Sequence, residues 1–174
     1  DVFASSLAGW NIEKAYVRLL GSTTARATLI NALNAGPRLA SFVGHSGPTN
    51  WTFAPLFRAV DAAALTNINS PTLVTQWGCW NTYYVDPRYD TLGHKFLLSG
   101  MNGAALVTGS STLTASDSEQ ALGTLMMSRL IQNGMTVGEA MRSAKVQLAQ
   151  THPEMIDVLL GWTILGDPTV IVRP

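Results

Sequence analysis

Apolar positions along this chain fall into two alternating kinds of segment, short unbroken runs and longer stretches with a helical repeat. Three runs share one form. Leu39-Ala40-Ser41-Phe42-Val43 ends in Gly44, Thr72-Leu73-Val74-Thr75-Gln76-Trp77 ends in Gly78, and Ala104-Ala105-Leu106-Val107-Thr108 ends in Gly109. Short, mostly apolar runs rich in β-branched residues read as strands covered on both faces. Between them, residues 25–35 place Leu29, Ile30 and Leu33 at helical spacing, with Gly36-Pro37 as a stop. Residues 53–66 read as a helix with Leu56, Phe57, Val60 and Leu65 inward, and 91–100 as a helix ending at Gly100.

The C-terminal third carries two serine/threonine-x-x-glutamate patterns of the capping-box kind. Ser116-Asp117-Ser118-Glu119 opens a helix running to Asn133 and stopped by Gly134. Thr136-Val137-Gly138-Glu139 opens another, to about Gln150. Gly166-Asp167-Pro168 predicts a turn, and Thr169–Val172 a last strand. Lys14–Gly21 reads either as an edge strand or as a helical turn, followed by N-cap chemistry at Ser22-Thr23-Thr24. Residues 80–89, rich in aromatics and without period, read as a surface loop. Strands alternating with helices predict an α/β domain with a mostly parallel sheet. In such sheets ligands bind past the carboxyl ends of the strands. His45, Cys79 and Ser110 all fall at that edge.

Composition narrows the field. The 174 residues are 47% hydrophobic and 13% charged, enough apolar material for one domain's core, and eleven basic residues balance eleven acidic ones. No net field draws the chain to nucleic acid or to an anionic membrane. No apolar run reaches the roughly 18 residues of a membrane span. One cysteine excludes an internal disulfide framework and a multi-cysteine metal site. The chain opens at Asp1 with neither an initiator Met nor a signal peptide, so a fragment of a longer protein is expected.

Candidate chemistry sits in the two glycine-ended loops. A cysteine attacks as thiolate, and a histidine beside it takes the proton or holds the ion pair. His45 and Cys79 each follow a glycine at the end of a similar strand. The backbone N–H groups of Ser46 and Cys79 are candidate donors for the charge developing on an attacked carbonyl. Other residues have plainer readings. Trp51, Trp77 and Trp80 fit core packing as well as a cleft wall. His94 and His152 read as structural or solvated. Asp117 and Glu119 lie in a helix first turn, where the dipole favours acids.

Phe42-Val43-Gly44-His45-Ser46-Gly47, then Gln76-Trp77-Gly78-Cys79, then Leu165-Gly166-Asp167-Pro168-Thr169 together resemble the gingipain-type cysteine peptidases, peptidase family C25 of the caspase-like clan. The likeness runs from about residue 14 to the end. It implies a caspase-like three-layer sandwich and a thiol protease in which His45 is the base and Cys79 the nucleophile. It implies an oxyanion N–H from Ser46, where the family commonly has glycine. It also implies that the first strand of the sheet is missing from 1–174, so that this single domain is partial and a preceding segment or a partner chain completes it. A protein or peptide substrate, a basic residue before the cut, and Trp51, Trp80 and Asp117 as substrate contacts are further expectations. Secretion or the cell envelope, and calcium as a structural ion, come from the family alone, since no carboxylate cluster here marks a calcium site. The alternative is a catalytically silent caspase-like scaffold within a larger surface protein.

Overall fold

The computed structural model describes residues 2–54 and 56–173. A short helix α1 (Val2–Ser5) precedes α2 (Val17–Asn34), then β1 (Leu39–Val43). A small three-stranded antiparallel sheet follows, made of β2 (Ser46–Gly47), β3 (Asn50–Trp51) and β4 (Phe57–Arg58) in that order. Next come α3 (Ala59–Ala63), β5 (Thr72–Trp77), α4 (Leu92–Leu97) and β6 (Ala104–Ser110). The chain ends with α5 (Ser116–Leu130), α6 (Val137–Thr151), α7 (Ile156–Gly161) and β7 (Trp162–Gly166).

The main sheet has the order β1-β5-β6-β7, with β1, β5 and β6 parallel and β7 antiparallel. β5 lies at its centre and all six of its residues are buried. That follows from its sequence, because a parallel strand flanked by crossover helices meets side chains on both faces. Two apolar clusters lie on opposite sides of the sheet. One joins Leu73, Trp77 and Leu106 to Leu122, Met126, Ala140 and Ala144 of α5 and α6. The other joins Phe42, Val74 and Val107 to Leu33, Leu92 and Phe96 of α2 and α4. The result is a three-layer α/β sandwich, as expected. Each fully buried large side chain contributes about 1.5–3 kcal/mol relative to exposure. Among the described residues no helix is long and apolar enough to cross a membrane.

Of the two readings of Lys14–Gly21 the helical one holds: helix begins at Val17 and bends at Gly21, whose φ of 73° only glycine adopts without strain. Three local expectations are corrected. The helix of 53–66 shrinks to Ala59–Ala63. Leu56 and Phe57 are buried, Phe57 against Trp51 and Phe96, and Val60 turns outward at 68% exposure. Thr169–Val172 is not the last strand. That strand is Trp162–Gly166, before the turn, and the later segment adds one bridge, Thr136 to Ile171. Trp162 decides the matter by stacking on Trp77 at 4.7 Å, while Lys145 Nζ donates to the Leu159 and Trp162 carbonyls behind it. The Ser116–Glu119 capping box does not form. The cap residue is Ala115, whose N–H donates to Asp157 Oδ2, and Glu119 turns elsewhere. The second box is present, with Thr136 and Glu139 bonded reciprocally.

Candidate active site

Val43 pairs with Trp77 across β1 and β5. His45 lies two residues past the first and Cys79 two past the second, so the parallel register delivers both to one edge of the sheet. The chain can turn there because of its glycines. The Gly44 N–H donates to the Trp77 carbonyl at 2.9 Å. A Cβ on Gly78 would lie 2.3 Å from Gly44 O and 2.4 Å from Ser46 Oγ, so the two loops touch only with glycine at 78. Ser46 Oγ then donates to the Cys79 carbonyl at 2.8 Å.

Asn81 fastens this junction. Its Nδ2 donates to Gly78 O at 2.8 Å, Gln76 O at 3.0 Å and Ser46 Oγ at 3.1 Å, and its Oδ1 accepts from the Ser110 N–H at 3.2 Å. One amide thus joins the ends of β5 and β6 to the histidine loop. Gly109 leaves room for it, since a Cβ there would sit 2.0 Å from Oδ1. Asn81 and Thr82 are fully buried, which corrects the reading of 80–89 as surface from its first residues. No periodicity marks Asn81; the signal is a lone amide side chain just past a glycine-ended strand.

The Cys79 thiol is half-buried. Its Sγ lies 3.5 Å from the Thr114 carbonyl and 3.6 Å from Thr114 Oγ1. That hydroxyl in turn donates to Glu119 Oε1 at 2.5 Å. Among the described residues the His45 imidazole is not a hydrogen-bond partner of the thiol; it is exposed and lies against the Phe53 ring at 4.9 Å. It is near enough to Glu119 to interact with its charge. Burial pushes the Glu119 carboxyl above the ordinary glutamate range, the Thr114 bond and His45 opposing and Asp157 reinforcing the shift. Among the described residues the Cys79 N–H meets no hydrogen-bond acceptor. No group of three or more His, Cys, Asp or Glu side chains among them is placed to hold a metal ion.

The remaining candidates separate. Trp80 is 38% exposed beside Cys79, with φ at 55° and its N–H donating to Thr112 O. Trp51 is 1% exposed, stacked on Phe42 and bonded through Nε1 to Gln76 Oε1; it is a core residue and faces no cleft. Asp117 is exposed and lines a shallow groove between α5 and α6 with Gln120, Thr124 and Gln147, so it does not join the thiol. Alternate helix positions explain this: Asp117 and Glu119 point to different sides of α5. His152 closes α6 and pairs with Glu154, and His94 sits half-buried in α4. Thr114 and Glu119 are the site residues that sequence reasoning missed, because the capping pattern accounts for Glu119 on its own.

The family model of peptidase family C25 matches residues 2–173. The chain belongs to peptidase family C25. Its fold is that of gingipain. The crystal structure of the Arg-specific cysteine proteinase gingipain R (RgpB) superposes with a TM-score of 0.74 at 20% identity, over 85% of this chain and 36% of that one. The complex of Porphyromonas gingivalis RgpB pro- and mature domains gives 0.71 at 20%, over 85% and 37%. A third solved structure, described only as a protease, gives 0.71 at 17%, over 82% and 37%. This C25 chain therefore spans little more than a third of the solved chains it matches. No curated protein matches it.

Proposed function

We propose that this C25 domain is a cysteine endopeptidase in which Cys79 attacks the peptide carbonyl and His45 moves the proton. The observation that supports it is the β1–β5 register, which brings a histidine and the protein's one cysteine to the same sheet edge. In that reading His45 takes the thiol proton, Sγ bonds to the carbonyl carbon, and the Ser46 and Cys79 N–H groups receive the oxyanion. Collapse breaks the C–N bond, His45 protonates the leaving amine, and water then hydrolyses the thioester. Trp80 lines the approach. A basic residue before the cut is supported by Glu119 in place of Asp117, since it is the acid beside the thiol. A preceding segment of the same protein, or a partner chain, pairs with the free side of β1, and the protein acts outside the cell or at its envelope, as its family does.

A silent scaffold is the second reading, and one observation favours it: Sγ faces Thr114 rather than the imidazole. Iodoacetamide labelling of the intact protein against pH, located by mass spectrometry, separates the two. Labelling of Cys79 that His45→Ala slows, accompanied by cleavage of a peptide library that Cys79→Ala abolishes, is expected. Labelling that His45→Ala leaves unchanged, without cleavage, identifies the scaffold.

A further inference from the structure

The Thr114 hydroxyl has one hydrogen and two acceptors within reach, Glu119 Oε1 at 2.5 Å and Cys79 Sγ at 3.6 Å. While the carboxylate is ionised and unpaired it holds that hydrogen, being the nearer and charged acceptor. The sulfur then faces the Thr114 carbonyl at 3.5 Å and the lone pairs of Oγ1. Both oxygens suit an S–H donor, and neither suits a thiolate.

The other carboxylate oxygen is differently placed. Among the described residues Glu119 Oε2 accepts no hydrogen bond, and it is not one of the unpartnered polar atoms sealed from solvent. A cation arriving there takes up part of the negative charge. The hydroxyl, released, turns about its C–O bond and donates to sulfur instead. Thr114 is well held for this role, because the N–H of the next residue, Ala115, is fixed by Asp157 at 2.8 Å. His45 and Asp157 are the other charged or titratable groups acting on Glu119.

We propose that Thr114 is a positioning residue through which a cationic substrate side chain, ammonium or guanidinium, on Glu119 converts Cys79 from a resting thiol to the attacking thiolate. The proton leaving Sγ goes to His45, and no proton crosses the Thr114 oxygen. The inference rests on the proposed function and adds to it a coupling between recognition and reactivity.

The test is a double-mutant cycle on the intact protein, read as the rate of Cys79 labelling by iodoacetamide at pH 7. Glu119→Gln, which removes the charge that holds the Thr114 hydrogen and so frees it for sulfur, speeds labelling by about tenfold, the worth of one hydrogen bond to a charged group. In the Thr114→Val background the same substitution changes the rate by less than about twofold. Thr114→Ser restores the full response and guards against a folding defect in the valine variant. n-Butylguanidinium speeds labelling of the wild type and of Thr114→Ser, but not of Thr114→Val. Equal Glu119→Gln effects in both backgrounds overturn the coupling, as does a wild type that n-butylguanidinium fails to speed. His45→Ala distinguishes the levels. Labelling slowed by it, with an additive cycle, removes only the coupling; labelling unchanged by it removes the peptidase reading and this inference together.

Discussion

Gly78 approaches Ser46 so closely that a methyl group on it would come within 2.4 Å of the serine Oγ, and within 2.3 Å of the Gly44 carbonyl. The second contact is with backbone, which has nowhere to rotate. Gly78→Ala therefore pushes the histidine loop away from the cysteine loop and breaks the Ser46–Cys79 bond. We expect a loss of about 1–3 kcal/mol in stability, as for overpacking elsewhere. On the proposed function, peptidase activity falls by about a hundredfold, since a displacement near 1 Å suffices for that. Thermal unfolding and kcat/KM check both; a variant with wild-type activity contradicts the shared-junction account.

Asn81→Ala removes the amide that joins β5, β6 and the histidine loop. The Gly78 carbonyl is left buried, and one unsatisfied group alone costs about 1–3 kcal/mol. We expect a stability loss of about 3 kcal/mol by denaturant unfolding. Asn81→Asp does no better, since a carboxylate cannot donate to a carbonyl. A loss below about 1 kcal/mol for either variant shows that the amide fastens nothing.

Glu119 makes stability fall as pH rises. Its folded-state carboxyl titrates above the ordinary glutamate value because burial disfavours its charge. Between the two values the native state holds more protons than the unfolded chain, so unfolding free energy decreases with pH across that window. The contribution is fully present below the unfolded value and is lost above the folded one. Melting temperatures of wild type and Glu119→Gln, measured from pH 4 upward, should diverge in that window, with the wild type losing ground. Parallel curves contradict the assignment.

Asp61 holds α2 to α3. Its carboxylate takes both Arg26 guanidinium nitrogens, at 2.8 and 2.6 Å, and the Arg58 N–H at 2.8 Å. The Arg26 bond, with burial opposing, holds its carboxyl below the ordinary aspartate range. The stabilisation is therefore present above the unfolded value and is lost as pH falls through the folded one. Arg26 is 36% exposed, so solvent screens the pair. Asp61→Ala should cost about 1–2 kcal/mol, much of it from the lost cap at Arg58. The difference should vanish in acid, which urea unfolding at pH 7 and pH 2 reads directly.

The three parallel strands, their glycine ends, and the placing of His45 and Cys79 beyond them are legible along the chain. Those features are local: a β-branched apolar run must be covered on both faces, and a glycine after it marks a turn. The α6 capping box was equally legible, because Thr136 and Glu139 satisfy each other without help from elsewhere. Tertiary structure decided the rest. Glu119 belongs to the same kind of pattern, yet Asp157, distant in sequence, takes over the cap and frees it to reach Thr114. Trp51 became core once Phe42 and Gln76 closed on it, and the last strand moved to Trp162 once Trp77 offered a stacking partner. Asn81 carries no pattern at all, and its role exists only where three chain segments meet. Each of these outcomes depends on a partner many residues away, and a pattern of neighbours along the chain holds no record of which distant group satisfies a buried polar atom.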